Sequence, residues 1–340
     1  MDATTFYGDI SYNTAGYISG QMLARGQHAL LCEQFAQAKV LPTRNSKTMI
    51  FSRYEALPRA TSALAEAVPP QGHKMNRTEI SVSLEQFGDF VELTDQVLDF
   101  QQDPVVDEAV SLCSEQIAET IEVLRINTLK AGTNAFYANN VAGRTTVGSV
   151  LARGDLRRVS RALRKQKAQY ISKVIKASAE VATEPVGAAF FALCHTDLAA
   201  DIRSLPGFIP AENYSASENA RAYELGKCED IRFLCSPLIE PWLNAATSVT
   251  STVFLSGGAI VSTAGYPDVY PIIILAKDSW ATIRLQGKNA VTPYVVNPKP
   301  SVVDPLGQKG FVAWKHYNAS LITNQLWMAR LEVCCTAKPN

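Results

Sequence analysis

Asp103 to Gly132, DPVVDEAVSLCSEQIAETIEVLRINTLKAG, is the most regular stretch of this 340-residue chain. Asp103 carries a short carboxylate that can accept from the free amides of a helix start. Pro104 suits the first helical position, where its missing N–H would have no partner. Gly132 supplies a stop. Between these marks Val106, Val110, Cys113, Ile117, Ile121 and Leu124 recur at helical spacing, while Glu108, Glu115, Glu119 and Glu122 fall on the opposite side. The pattern predicts a helix over 103–132 with one packed face and one acidic, wet face. At 1.5 Å per residue it would run about 40 Å, far beyond a usual helix, and so predicts a spine crossing a whole domain.

Upstream, the run KTMIFSRYEAL (Lys47–Leu57) favours an extended strand closed by Pro58, and a second extended run follows from Glu79 to Thr94. In the second run Ile80, Val82 and Leu84 alternate with Ser81, Ser83 and Glu85, after which the apolar phase slips to Phe87, Val91 and Leu93. A one-residue slip beside Gly88 predicts a bulge or strong twist there. The connecting TSALAEAVPPQGHKMN is poor in large apolar groups, so the two strands form a projecting hairpin. An isolated two-stranded ribbon cannot bury both faces and needs a neighbour. Residues 1 to about 40 show only a short helical pattern near Met22–Phe35 and no core of their own, and read as an arm lying on something else.

Downstream, a Gly/Asn/Thr-rich break (Gly132–Gly148) leads to a second, strongly basic helix predicted from about Arg153 to Ala177. Short apolar strands follow at Val186–Cys194, Ile231–Leu234, Thr252–Leu255 and Tyr270–Ala276. The step from VGAAFFALC into HTDLAADIRS reads as a buried strand feeding a helix capped near Thr196, with Asp197 at the positive end of the helix dipole. From Gly310 to Thr336 aromatic and aliphatic residues alternate with polar ones, a strand-rich ending. The class is α+β.

Hydrophobic residues make up 47% of the chain, enough to fill two or three compact units. Lys plus Arg equals 32 and Asp plus Glu equals 32, so no net field draws the molecule to nucleic acid or to an anionic membrane. No basic opening precedes an apolar core at the N-terminus, and no stretch approaches 18 apolar residues; the expectation is a cytoplasmic protein with no membrane partner. The sequons at Asn76, Asn213 and Asn318 then carry no meaning. Seven scattered cysteines (Cys32, Cys113, Cys194, Cys228, Cys235, Cys334 and Cys335) read as reduced, buried small hydrophobes.

The common cofactor and hydrolase signatures are missing. Ser256-Gly257-Gly258 reads as a tight turn more readily than as a phosphate cradle. His28, His73, His195 and His316 lie far apart, and neither Cys228/Cys235 nor Cys334/Cys335 has zinc-ligand spacing. Adjacent Cys194 and His195 at a strand end point away from each other, which argues against a nucleophile with its base. No catalytic, cofactor-binding or metal site is therefore assigned, and the chain reads as no enzyme. In the basic helix Arg157, Arg161, Arg164 and Lys165 lie near one face, with Arg153, Arg158, Lys167, Lys173 and Lys176 extending it. Such a stripe could lie along phosphates. More often it faces water or pairs with acids, and with Tyr170 the sole interleaved aromatic it would not read bases.

FGDFVELTD (Phe87–Asp95), DPVVDEAV with SEQIAETIE (Asp103–Glu122), KAGTNAFYA (Lys130–Ala138), DPLGQKG (Asp304–Gly310) and NQLWMARLEV (Asn324–Val333) occur in an order that resembles the Hong Kong-97 type capsid fold of tailed phages. More specifically, the chain resembles the major capsid protein family typified by the coat protein of the N-four-like podophages. The likeness covers nearly the whole chain. It departs at Ala276-Lys277-Asp278, where a glycine is expected before Lys-Asp.

The resemblance implies an N-terminal arm (1–40), an extended hairpin loop (41–95), a peripheral domain (96–150) containing the spine helix, an axial domain (151–265) and return strands that complete the peripheral domain (266–340). It implies self-assembly into pentamers and hexamers of an icosahedral virion shell around double-stranded DNA, with portal, scaffold and decoration proteins as partners, built in the host bacterial cytoplasm. No cofactor is implied. Three alternatives make different predictions: an encapsulin-like compartment would hold protein cargo, a cytoplasmic enzyme would be a small oligomer with a ligand pocket, and a DNA-binding protein would show salt-sensitive affinity through residues 153–176.

Overall fold

Helix α1 runs from Val105 to Lys130 in the computed structural model, which describes residues 30–44, 46–61, 63, 72–96, 105–176, 182–214, 221, 223–246, 260, 262–263, 266–285, 292–300 and 305–336. The expected cap at Asp103 and Pro104, the arm up to residue 29, and the stretches at Thr252–Leu255 and Ser256-Gly257-Gly258 lie outside the described residues. In chain order the strands are β1 (Gln37–Leu41), β2 (Thr48–Tyr54), β3 (Arg77–Ser83), β4 (Glu85–Thr94), β5 (Ala135–Tyr137), β6 (Ile171–Lys176), β7 (Ala182–Cys194), β8 (Ile209–Pro210), β9 (Glu224–Cys228), β10 (Ile231–Cys235), β11 (Ser262–Thr263), β12 (Tyr266–Pro267), β13 (Tyr270–Leu275), β14 (Trp280–Leu285), β15 (Thr292–Val296), β16 (Lys309–Ile322) and β17 (Met328–Val333). Helices α2 (Arg153–Lys165) and α3 (Ala199–Arg203) complete the set.

A five-stranded sheet orders β1-β14-β16-β15, with β4 also paired to β16. Alternation along β16 sends Val312 and Trp314 inward with Phe87, Leu93 and Val295, and these pack on Ala109, Val110, Cys113, Ile117 and Ile121 of α1. Gln116 ties the layers together: its amide donates to Asp89 Oδ2 at 2.6 Å and its carbonyl accepts from Trp314 Nε1 at 3.0 Å. The β4–β16 ladder runs unbroken from Glu85 to Thr94, so the bulge expected beside Gly88 is not there. Gly88 serves close approach instead, since a Cβ would sit 2.7 Å from the Trp314 carbonyl. The phase slip falls at buried Leu84, where the chain passes from the two-stranded β2–β3 hairpin to the body sheet.

An eight-stranded sheet orders β5-β17-β13-β7-β10-β9-β8, with β6 also on β7. Its central strands are buried on both faces, which explains their near-continuous apolar runs. Phe190, Ala192, Ile272 and Ile274 join the core that takes in Leu156, Val159 and Leu163 of α2, while Phe191, Leu193, Ile273 and Leu275 meet Ile126 and Leu129 of α1 on the other face. The C-terminal quarter thus divides: β13 and β17 enter this sheet, and β14, β15 and β16 the five-stranded one.

The basic helix is shorter than predicted. It ends at Lys165, Lys167 adopts a left-handed φ of 57°, and Ile171 and Val174 are drawn into the core as part of β6, which places Lys173 and Lys176 on a strand. Cross-strand burial of β-branched residues outweighs the helix propensity of the intervening lysines. After β7 the first turn is a 3-10 turn at Thr196–Leu198, capped by the His195 side chain rather than by Thr196.

Glu122 departs from its predicted wet face. Glu108, Glu115 and Glu119 are exposed, but Glu122 is fully buried, and its Oε1 accepts from the backbone N–H of Leu31 at 3.1 Å and of Cys32 at 2.8 Å. Beside it, buried Arg125 donates to Glu33 Oε2 at 2.9 Å, and Arg284 reaches the other oxygen of Glu33. Residues 30–41 are thereby fixed to the chain's own α1 and, through parallel β1, to β14. Burial raises the Glu122 carboxyl above the ordinary carboxylate range even though the Cys32 and Leu31 amides and Arg125 pull the other way. Glu122→Ala strands two buried amides and removes a negative charge that favours the buried Arg125 guanidinium, so it is expected to cost about 2–4 kcal/mol in denaturant unfolding of the subunit. Glu122→Gln, which keeps an acceptor, is expected to cost less than half of that; equal losses would show that the amide capture contributes nothing.

Candidate assembly surfaces

Among the described residues the cysteines and histidines sit mostly in buried or internally bonded settings. All seven cysteines are free and buried. Cys194 and Cys235, directly opposite on parallel β7 and β10, meet at 3.1 Å, and that contact together with burial holds the Cys194 thiol well above its ordinary value. The His195 ring turns instead to Asp197, whose amide donates to Nδ1 at 3.1 Å and whose Oδ2 accepts from the Tyr270 hydroxyl at 2.9 Å. The Cys334 and Cys335 thiols are each pushed up to about 12, chiefly by burial. His316 is buried in the sheet and His73 is exposed on the hairpin; His28 lies outside the described residues. Among the described residues no group of three His, Cys, Asp or Glu could hold a metal ion, and no helix is long and apolar enough to cross a membrane.

The α2 arginines are largely neutralised by acids. Arg153 and Arg157 both converge on Glu229, whose carboxyl their hydrogen bonds hold below its ordinary range; Arg164 pairs with Asp230, and Arg158 with Asp155 at 3.4 Å and with the Asn140 side chain. Around the C-terminal end of α1, buried Glu332 takes both Arg144 and Arg330, and these guanidiniums flank the Trp242 ring at 3.6 and 5.5 Å. Both arrangements clamp elements of the eight-stranded sheet to their neighbours.

What the fold leaves uncovered is apolar surface. Met49, Phe51, Ile80 and Val82 seat the hairpin base on Leu41, Leu84, Ile283 and Leu321, yet every described residue from Ser52 to Glu79 is exposed. Ile50, Tyr54, Leu57 and Met75 are each more than half accessible on that ribbon. A second uncovered area is the outer face of the β4–β16–β15 ladder. Register places Phe90, Ala313 and Tyr294 in one cross-strand row and Phe311 and Val296 in the next, all pointing away from α1, and Phe90 remains 59% accessible. Sequence reasoning located the ribbon but not this row, because alternation alone does not say which face of a two-sided strand meets the core. Large contiguous apolar exposure of this kind marks an interaction surface.

Comparison with known proteins agrees with a surface made for assembly. A family model described as phage capsid protein matches residues 77–305. The major capsid protein of Pseudomonas phage KPP21 is 23% identical over 279 residues, spanning 75% of this chain and 68% of that protein. In three dimensions the chain resembles the capsid of Ralstonia phage GP4, with a TM-score of 0.59 at 9% identity over 90% of this chain and 88% of that one. It also resembles the holo-SrpI encapsulin complex of Synechococcus elongatus PCC 7942, with a TM-score of 0.50 at 12% identity over 100% and 95%. The fold is the Hong Kong-97 type expected from the order of the motifs. A helix packed under a five-stranded sheet, a ribbon without cover among the described residues and a family match over two thirds of the sequence lead to one conclusion: this chain belongs to the phage capsid protein family.

Proposed function

We propose that this chain is the major capsid protein of a tailed phage, whose copies join into pentamers and hexamers of an icosahedral head enclosing double-stranded DNA. The observation that carries this reading is the uncovered ribbon: Ile50, Tyr54, Leu57 and Met75 are exposed on a two-stranded element that has no second layer, a costly state for an isolated subunit and a stable one once a neighbouring copy lies against it. The outer row at Phe90, Tyr294 and Phe311 supplies a second surface of the same kind.

Within this reading residues 1–40 serve as the arm, 41–95 as the extended loop, 96–150 as the peripheral domain and 151–265 as the axial domain, with the return strands at 266–340 completing the peripheral domain. Copies assemble in the host cytoplasm, with portal, scaffold and decoration proteins joining the shell, and the resemblance of the sequence motifs to N-four-like coat proteins supports a podophage. DNA is met without sequence reading, which fits α2, whose arginines are mostly committed to Glu229, Asp230 and Asp155. The encapsulin likeness supports a second reading as a protein-filled compartment, and the contents of the particle separate the two.

Electron microscopy of the purified, overexpressed full chain is expected to show uniform shells, sheets or tubes of megadalton mass, and discrete monomers would overturn the proposal. The double substitution Phe90→Ser with Tyr294→Ser removes exposed groups only, so subunit stability is expected to change by about 0.5 kcal/mol or less while particle yield collapses. Wild-type yield from that variant would remove the outer row from the interface.

A further inference from the structure

β7 and β10 run parallel in a register that sets Cys194 directly opposite Cys235, 41 positions away in sequence. Side chains opposite each other on neighbouring strands project to the same face, and both thiols enter the core layer that holds Phe190, Leu198 and Phe233. Their sulfurs lie 3.1 Å apart. Neighbouring strands run about 4.8 Å apart, within the span of about 4.4–6.8 Å between Cα atoms that a disulfide bridges. A bond of about 2.05 Å therefore asks the two sulfurs to close by roughly 1 Å. The strand ends leave room for that movement. Each cysteine is the last residue of its strand: after Cys194 the chain turns at His195, and after Cys235 the Ser236 amide makes one bond to the Cys194 carbonyl, at 2.9 Å, where the strand ends. On the other side of β10 the pairing with β9 shifts register between Phe233 and Leu234, so Cys235 is not held by a regular ladder there. The remaining thiols are placed differently. Cys334 and Cys335 turn to the Val147 and Asp197 carbonyls, and Cys32 and Cys113 lie in other core clusters.

We infer that Cys194 and Cys235 are a dithiol that oxidises to an intrachain disulfide, with Cys235 as the entry thiol and a small-molecule disulfide as the oxidant. Cys235 keeps 8% of its surface accessible and Cys194 none, so an outside reagent meets Cys235 first. The Cys235 thiol gives its proton to solvent and the thiolate attacks one sulfur of the reagent; a mixed disulfide forms on Cys235 and one reagent thiolate leaves. Cys194 then attacks the Cys235 sulfur, and the second reagent thiolate leaves and takes up the proton that Cys194 gives up. Two protein thiols have passed two electrons to one reagent disulfide, which ends as two thiols. The Cys235 contact and burial hold the Cys194 thiol well above its ordinary value, which keeps it protonated until the mixed disulfide stands beside it. A metal reading lacks a third ligand among the described residues, since the His195 ring is turned to the Asp197 amide. The bond closes a loop containing α3, β8, β9 and β10, and so fastens the edge of the eight-stranded sheet covalently to its centre. Such a crosslink stabilises mainly by restricting the unfolded chain. The chemistry belongs to the single subunit; resting on the shell reading, the thiols stay reduced in the host cytoplasm and the bond closes once particles are released.

The test is oxidation of the purified full-length protein by hydroxyethyl disulfide, followed by alkylation of the remaining thiols in denaturant and peptide mass spectrometry without reduction. Two of the seven thiols are expected to escape alkylation, and the peptides carrying Cys194 and Cys235 to appear joined, two hydrogens lighter than their sum. The melting temperature is expected to rise by about 5 °C and to fall back on treatment with dithiothreitol. Single substitutions read the order of attack. Cys194→Ala is expected to leave the reagent adduct stranded on Cys235 with no such rise, and Cys235→Ala to leave Cys194 a free thiol. Each variant is first melted without oxidant, and if either fails to fold, the joined peptide from the unsubstituted protein still decides. Seven alkylated thiols after oxidation, a bond to another cysteine, or an adduct on Cys194 in Cys235→Ala would each overturn the inference with the shell reading untouched. In cells alkylated before lysis both thiols are expected free, and a joined peptide there would overturn closure after release. Absence of particles from the unsubstituted chain would overturn the shell reading, while a joined peptide from the same sample would uphold the disulfide in the subunit.

Discussion

Burial of one side of a 26-residue helix under a 14-residue strand is the contact on which the rest of the molecule depends. At ordinary rises the helix spans about 39 Å and the strand about 46 Å, so the two match along nearly their whole length. Everything else attaches to this pair. β4 lines one side of β16, β15 and β14 line the other, the N-terminal turn is held to α1 through Glu122, and the far end of α1 enters the eight-stranded sheet at Ile126 and Leu129. A two-layer body built from one helix and one sheet covers only the inner face of each. The outer row at Phe90 and the outer ridge at Glu115 are left open by the geometry itself, and so is the ribbon that leaves the sheet at Leu84.

The spine, the hairpin and the terminal strands were legible because their signals are local. Helical spacing from Val106 to Ile121 and the alternation from Ile80 to Leu84 each reflect a single element meeting a single core. The motifs that carried the family likeness also fall on the framework: Phe87–Asp95 covers most of β4, Asp103–Glu122 most of α1, and Asn324–Val333 leads into β17. Glu122 escaped because a carboxylate inside an amphipathic helix reads as a wet position. Only the return of residues 31 and 32, ninety positions away in sequence, supplies the amides that make its burial tolerable. The strand at Ile171–Lys176 escaped for a related reason, since alternating lysines continued a basic run while the deciding contact, pairing with β7, is long-range.

Charge offers the same lesson at larger scale. A sum of zero over the whole chain answers whether the protein as a unit is drawn to polyanions, and nothing more. Distributed evenly, 32 positive and 32 negative groups would leave no preferred direction of approach. Concentrated in consecutive blocks, and then carried by the fold to a projecting ribbon and a rigid helix, they give one subunit two unlike faces.

A contact between unlike faces of identical copies is heterologous, and its repetition closes into a ring when the rotation between neighbours divides a full turn and runs on as a filament when it does not. The direction in which the ribbon leaves the body is held by the packing of Met49, Phe51, Ile80 and Val82 against Leu84 and the sheet. Modest contacts repeated around closed rings sum to a shell far stronger than any single one, because each added subunit closes bonds within an existing assembly. Stiffness in the body and adjustability at the hairpin base are then separate requirements. The α1–β16 layer meets the first, and the ribbon joins that layer through the small apolar cluster around Leu84.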